Sequence, residues 1–531
     1  MRLSDHDLSQ LTEEELLELP EAVLRRLSVK LLADLKEARE RLKQNSRNSS
    51  RPPSSDKPWD NTAEQEDEEP SLQDSLSPIK DTTDTDKLDP PTKKATDPQD
   101  NVRSAPEKRK PGKQPGAAGY GRTQKIAVTT EVYHYPSICA RCDRELSEDT
   151  ATLPVGACAY TAFETVDVIW ADPKNPGISL TNTKHVYYEI DCDCGHCTQQ
   201  APHRQISHPL MPAIVLCEWR LVGPGLAALI VCLAYRMRLS RPRIQEFLAD
   251  WLGVALSVGT INATLHESGA AALPVEDELV EAVHASGLLN VDETSWPESG
   301  NLLWLWVFCG HEVVAYWIAT RSAELLNTVL GNTFQGWLMS DGWNAYRYYL
   351  RRIRCWAHLL RKATGLEESL DPTARVFGIQ TLELLNSIIK AVYAARAIPP
   401  DQPLTLMFQQ ALADYRGSCE LMSAATHKKT RELAREMLND WDAIFQILAF
   451  PHLPLTNNEA ERALRHWVIL RNICHGTRTE DGTRIFAILI SIIETCRVRQ
   501  QSPWLYLAAI IRQRRAGLPV PKLPIALGQR V

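Results

Sequence analysis

The stretch Leu288-Leu289-Asn290-Val291-Asp292-Glu293-Thr294-Ser295-Trp296, followed after Pro297-Glu298-Ser299-Gly300-Asn301 by Leu302-Leu303-Trp304-Leu305-Trp306-Val307-Phe308, decides the fold. Branched and aromatic residues flank a segment of turn formers, so the stretch reads as two strands joined in a hairpin. A carboxylate set beside a buried hairpin is costly unless something, commonly a metal ion, compensates its charge. Asp292 is therefore the first candidate for chemistry, weighed against the plainer reading that Asp292 or Glu293 only starts a turn.

Downstream, Val313 to Thr320 reads as a third strand and Ala323 to Leu330 as a helix. Gly336-Trp337-Leu338-Met339-Ser340-Asp341-Gly342 reads as a fourth strand with another acid at its tip. Three strands, a helix and an acid-tipped strand follow the order of a ribonuclease-H-like α/β core. In that order the first and fourth strands lie side by side, which brings Asp292 and Asp341 together across 341 − 292 = 49 residues. Two acids converging on one point suggest a magnesium site rather than two turns. Cys355 and His358 then stand at a spacing open to a metal pair or to a polar brace where strand gives way to helix. From Asp371 to Ile447 the pattern is helical and fits an all-α insertion. A new helix opens at Pro454-Leu455-Thr456-Asn457-Asn458-Glu459-Ala460-Glu461, with Thr456 and Asn457 as cap residues and both acids suited to a first turn. The basic residues beyond it, Arg462, Arg465, Arg471, Arg478 and Arg484, would surround the acids with phosphate-binding charge.

Upstream, Cys139-Ala140-Arg141-Cys142 and Cys192-Asp193-Cys194-Gly195-His196-Cys197 offer two close thiol pairs to a tetrahedral zinc. The repeated two-residue spacing selects Cys139, Cys142, Cys194 and Cys197, and leaves Cys192 as a spare or alternative ligand. Arg241 to Leu252, a Gly253 turn and Ser257 to Glu267 have the length and turn chemistry of a helix-turn-helix, though any αα-hairpin would look similar. Leucines and valines at helical spacing between Leu8 and Leu42 suggest a coiled coil or amphipathic hairpin, broken by Pro20.

Charge is distributed unevenly. Residues 56–90 carry twelve acids against three lysines, 101–125 carry seven bases against one acid, and 461–531 carry twelve against four. The basic parts point to a polyanion, with Lys108, Arg109, Lys110 and Lys113 placed to track a phosphate backbone. Residues 45–125 hold almost no large apolar side chains and cannot offset their ordering entropy by burial, so disorder is expected there. No apolar run suits a signal peptide or a bilayer span, and thirteen cysteines read as thiols or metal ligands of a protein in a reducing compartment.

Taken together, these motifs resemble the insertion-sequence-66 family of transposases, of the Asp-Asp-Glu group. The matching segments are the polar run Asn45 to Asp56, the Pro-Gly basic stretch near Gly112 and Gly116, both cysteine pairs, Val291-Asp292-Glu293-Thr294 and Ser340-Asp341-Gly342. They continue through Cys355-Trp356-Ala357-His358, Asn457-Asn458-Glu459-Ala460-Glu461-Arg462 and Thr495-Cys496-Arg497. The resemblance implies a catalytic triad of Asp292, Asp341 and Glu461, and it selects Glu461 over Glu459. It also implies two Mg²⁺ or Mn²⁺ ions about 3.5–4 Å apart, with Asp292 bridging them. Cys355, His358, Arg462 and Arg465 become secondary active-site residues, and Arg471 and Arg478 join the DNA contacts. The structural zinc at the cysteine pairs is less secure by this comparison, because Cys192 crowds the second cluster.

The expected architecture is multidomain α/β: an N-terminal helical or coiled-coil region (1–44), a disordered linker with a basic end (45–125), a zinc-ribbon-like module (126–210) and a helix-turn-helix-like region (211–284). A ribonuclease-H-like core follows (285–365), interrupted by the all-α insertion (366–452) and completed by 453–531 with the Glu461 helix and a basic C-terminus. The expected activity is metal-dependent DNA strand cleavage and strand transfer at insertion-sequence ends, in a homo-oligomer with possible accessory proteins of the same element, in a bacterial cytoplasm near the nucleoid. The competing reading is a catalytically inactive, sequence-specific DNA-binding protein descended from a transposase. A nuclease that cuts without joining is a third.

Overall fold

Runs of branched and aromatic residues from Leu288 onward build the sheet on which the rest of the described chain is arranged. The computed structural model describes residues 20–42, 126–146, 154, 156–171, 174, 176–331 and 334–527. The linker expected over 45–125, with Lys108, Arg109, Lys110 and Lys113, lies outside the described residues, as does the chain before Pro20. Helix α1 (Glu21–Leu42) begins just after Pro20 and turns Val29, Leu32 and Leu35 outward, each more than half exposed.

Four strands follow in one sheet: β1 (Thr130–His134), β2 (Ala157–Ile169), β3 (Ser179–Asp191) and β4 (Cys197–Gln199). The long β2 and β3 pair antiparallel with an irregularity near Tyr160, and β1 and β4 both pair with β3. A small ribbon, β5 (Arg204–Ile206) and β6 (Val215–Cys217), leads into helices. These are α2 (Pro224–Val231), α3 (Arg241–Leu252), α4 (Val258–Ala272) and α5 (Glu276–His284). Gly253 ends α3 at φ 65°, a left-handed cap that suits glycine, and the Ser257 hydroxyl caps α4 by accepting from the Thr260 amide at 3.1 Å. The α3–α4 hairpin expected from sequence is thus present, with Trp251 of α3 stacked on Phe247 and 78% exposed.

The main sheet holds β7 (Leu288–Glu298), β8 (Asn301–Cys309), β9 (Val314–Ala319), β10 (Trp337–Ser340) and β11 (Arg352–Arg354), in the order β11-β10-β7-β8-β9. The first three strands run antiparallel, and β10 and β11 run parallel to β7. Helix α6 (Ala323–Leu330) makes the crossover from β9 to β10. The hairpin turn is tighter than the five-residue turn expected from sequence. Glu298 pairs with Asn301, leaving only Ser299 and Gly300, at φ 48° and 93°, to reverse the chain. Positive φ at both positions is the geometry whose twist matches paired strands, so pairing extends through Pro297.

Helix α7 (Trp356–Glu367) leads from β11 into the helical segment α8 (Pro372–Ala397), α9 (Gln409–Met422) and α10 (Lys428–Asn439), with short turns at Leu404–Met407 and Trp441–Phe445. The chain returns to the sheet through α11 (Asn458–Cys474), α12 (Glu480–Val498) and α13 (Pro503–Arg515). Strand alternation divides the packing. Leu338 joins the core shared by α2, α4, α12 and α13, whereas Met339 and Ile353 join a second core with Trp356, Leu359, Phe377 and Ile444. The open edge at β9 is covered: the Tyr316 amide donates to the Ser491 hydroxyl at 2.8 Å and the Val314 amide to Thr495 at 3.1 Å. Side chains of α12 thereby satisfy an edge that would otherwise offer itself to another strand.

Candidate active site and cysteine cluster

Register brings the first two acids together. Met339 of β10 pairs with Asn290 of β7 in parallel, so Asp341, one residue past the end of β10, and Asp292, two residues past Asn290, leave the paired segment in the same direction, and Asp292 feels the Asp341 charge. Asp292 Oδ1 accepts the neighbouring Glu293 amide at 3.0 Å, and Asp341 Oδ1 accepts the Trp343 amide at 2.8 Å. Burial, and then the negative charges of Glu293 and Asp341 with a smaller share from Glu461, push the Asp292 carboxyl well above the usual carboxylate range. Asp341 and Glu461 therefore both lie within electrostatic reach of Asp292.

Glu293, the next residue, turns to the opposite face. Its carboxylate accepts Arg321 at 2.7 Å and the Tyr346 hydroxyl at 2.6 Å. Burial and Asp341 still outweigh these partners and raise its pKa. Alternation thus separates a braced Glu293 from Asp292, whose carboxylate faces the other acids.

The third acid is delivered by a clamp that local sequence did not reveal. Asn457 was expected to cap its helix, but its side chain makes no cap bond there. Instead its Nδ2 donates to the Val291 carbonyl at 2.9 Å, and its amide donates to Cys355 Sγ at 3.3 Å. The Trp356 amide adds a bond to the Leu455 carbonyl at 2.8 Å. The start of α11 is thereby tied to β7 and to the β11–α7 junction at once. That tether sets Glu461 beside His358 Nε2, at 3.6 Å, and Arg361, at 3.8 Å. His358, followed by Arg361 and Arg465, holds the Glu461 carboxyl below its ordinary pKa despite partial burial. Cys355, His358 and Glu461 present ligand atoms all within 4.8 Å of one another. Arg361 was not singled out from sequence, although its place one turn after His358 is a helical-spacing signal that could have found it.

The basic residues divide by role. Arg462 and Arg465 are exposed on α11, with Arg462 ion-paired to Glu459. Arg478 is exposed in the loop between α11 and α12. Arg471 differs: its guanidinium donates to Thr294 Oγ1 at 3.0 Å and to Ser295 Oγ at 3.1 Å, so it braces α11 on β7.

A second, buried charge network lies behind Asp341. Asp440, fully buried, accepts Arg347 and Arg352 at 2.9 Å each and faces Arg354 Nε at 3.2 Å. Glu436 pairs with Arg354 and with Lys362. Burial would raise the Asp440 pKa, but Arg352, Arg354 and Arg347 outweigh it and hold it down. The Arg354 guanidinium packs so near Gly342 that a Cβ there would lie 2.6 Å from it, which explains a glycine directly after Asp341.

Far from these acids in sequence, four thiols gather at the end of the β3 hairpin. The sulfurs of Cys139, Cys142, Cys192 and Cys194 all lie within 4.8 Å of one another, with Cys139–Cys194 at 3.7 Å and Cys142–Cys192 at 3.6 Å. Cys192 is thus the fourth member, where the repeated spacing pointed to Cys197. The cause is the turn between β3 and β4: the Gly195 amide bonds back to the Cys192 carbonyl at 2.8 Å, with Gly195 at φ 80°. Cys192 and Cys194 fall on that turn, whereas Cys197 has entered β4 and pairs with Asp191. Backbone amides of Arg141 and then Cys142 draw the Cys139 thiol down to about 6, the direction that favours a thiolate.

A family of unknown function (DUF6444) matches residues 5–77. A relative described as "Uncharacterized protein y4qI", from Sinorhizobium fredii (strain NBRC 101917 / NGR234), is 24% identical over 278 residues, 46% of this chain and 51% of that protein. The chain thus spans about half the length of this relative. No described helix is long and apolar enough to cross a membrane. The family described as "Transposase IS66 family" matches residues 220–485, which take in the α3–α4 hairpin, the five-stranded sheet and all three acids. With just over half of its 531 residues matched, this chain belongs to the IS66 family of transposases.

Proposed function

We propose that this chain cleaves DNA strands and transfers them at the ends of an insertion element, using Asp292, Asp341 and Glu461 on a ribonuclease-H-like core. The observation that supports the reading is the parallel β7–β10 register, which runs towards Asp292 on one strand and towards Asp341 just past the other. The 3-2-1-4-5 strand order fits that core, as does the helical segment between the second and third acids. An all-oxygen carboxylate set whose members repel one another suits hard divalent cations. Held by Asp292, Asp341 and Glu461, two Mg²⁺ or Mn²⁺ ions would clamp the attacking and leaving oxygens of an in-line displacement.

The chain's own side chains do the rest. The Asn457 tether holds Glu461 over β7, and His358 and Arg361 keep its carboxylate ionised. Arg462 and Arg465 offer phosphate contacts on the exposed face of α11. Water attacks the phosphodiester at an element end and the bond to the 3′-oxygen breaks, leaving a 5′-phosphate on the flank; the freed 3′-hydroxyl then attacks a target phosphodiester and displaces the target strand's 3′-oxygen as a hydroxyl, with no protein–DNA covalent intermediate. The α3–α4 hairpin and Arg478 are further DNA contacts, and the outward leucines of α1 fit self-association as a coiled coil.

A structural zinc at Cys139, Cys142, Cys192 and Cys194 is the companion proposal. Zinc with four sulfurs at about 2.3 Å has a tetrahedral edge of about 3.8 Å. The sulfur separations of 3.6 and 3.7 Å are near that edge.

The reading is tested by incubating labelled element ends with the protein in Mg²⁺ or Mn²⁺. Nicks leaving a 3′-hydroxyl, followed by joined products, are expected. Substituting Asp292→Asn should lower cleavage by roughly 10³-fold or more, the scale of several kcal/mol of lost charge stabilisation. Binding without nicking by the unaltered protein would favour a DNA-binding protein without catalysis.

A further inference from the structure

We propose that Cys355, His358 and Glu461 form a soft-metal site that takes Zn²⁺, and that zinc bound there withdraws Glu461 from the carboxylate cluster. The three ligand atoms lie within 4.8 Å of one another. His358 Nε2 is already 3.6 Å from Glu461 Oε1. Nitrogen and oxygen ligands at about 2.0–2.1 Å from a tetrahedral zinc stand about 3.4 Å apart, so the pair needs only a few tenths of an ångström to close.

The surroundings of the sulfur supply an independent observation. Cys355 is completely buried, and its sulfur faces the amides of Asn457, at 3.3 Å, and of His358 and Ala357 at the start of α7. A neutral thiol is a weak acceptor that gains little from three converging N–H groups. A metal-bound thiolate gains a great deal, because those donors offset its charge where water cannot. One sulfur, one imidazole and one carboxylate form a softer set than the three acids, and this favours zinc over magnesium. Three protein ligands leave a fourth position open, the count of a zinc centre accessible to solvent or substrate. Glu461 is the member shared with the acids, so the two sites compete for it. That competition rests on the proposed function; zinc binding itself does not.

The test uses the full-length chain, dialysed against excess Zn²⁺ and then against buffer, with zinc counted per chain. The unaltered protein is expected to hold two equivalents, one on the four cysteines and one here. Cys355→Ser and His358→Asn should each hold one fewer, while Cys142→Ser should lose only the equivalent on the four cysteines. His358 lies on a partly exposed helix face, so its substitution decides the matter if the buried Cys355→Ser variant does not fold. A count unchanged by His358→Asn overturns the site. In a second arm, zinc added to Mg²⁺-supported cleavage is expected to slow it at least tenfold once the second equivalent is bound. A rate unmoved at that occupancy overturns the withdrawal of Glu461. Complete lack of cleavage in Mg²⁺ and Mn²⁺ instead refutes the proposed activity, and the zinc count still decides the site.

Discussion

Asp292 is held against its own preference. Burial and the facing carboxylates raise its pKa in the folded chain, so the folded state keeps a proton that the unfolded chain releases near pH 4. The stability tied to that proton is complete below the unfolded value and is lost as pH rises through the folded one. In metal-free buffer, the gap in melting temperature between Asp292→Asn and the unaltered chain should therefore open as pH rises above about 4. At neutral pH the variant should be the more stable by about 1 kcal/mol, as when strain at a functional site is relieved. Mg²⁺ should narrow that gap by stabilising only the chain that keeps the carboxylate. A variant less stable than the unaltered chain under metal-free neutral conditions would contradict this account of the residue.

At the scale of elements, the second acid depends on a helix far away in sequence. Asp440, just beyond α10, pairs with Arg347, Arg352 and Arg354 behind the strand that leads to Asp341. Removing one partner of a buried ion network leaves uncompensated charge, so Asp440→Asn should cost about 3–5 kcal/mol in urea unfolding. A loss below 1 kcal/mol would show that the arginines find other partners. In the cysteine module, Cys192→Ser should remove one zinc equivalent and Cys197→Ser none, as counted by metal analysis of the purified chain. The opposite pattern would restore the spacing-based assignment over the turn geometry.

Across the whole molecule, legibility in the sequence followed the range of the interaction. The hairpin around Asp292, the helix Ala323–Leu330 and the fourth strand that leads to Asp341 are written in local runs of branched and aromatic residues, helical spacing and turn residues, and the elements appear in that order. Spacing misled where backbone geometry rather than count decides, as at Cys192 against Cys197. It was silent where a side chain reaches across the fold. Asn457 bonds to Val291 over 166 residues, and Asp440 to Arg352 over 88, and neither contact leaves a periodic trace. Glu461 lies between these cases: its helix was readable, but choosing it over Glu459 required a family resemblance. In the structure the two acids differ in surroundings: Glu461 meets His358 and Arg361, while Glu459 pairs with Arg462.

Asp292 on β7, Asp341 just past β10 and Glu461 on α11 are proposed to act as one site on DNA. The most direct test compares Asp292→Asn, Asp341→Asn and Glu461→Gln on one labelled element end in Mg²⁺, with cleavage and gel-shift binding measured on the same samples. The account predicts that all three variants bind the end and none nicks it above background, while Glu459→Gln nicks at close to the unaltered rate. Full cleavage by any of the three would contradict it.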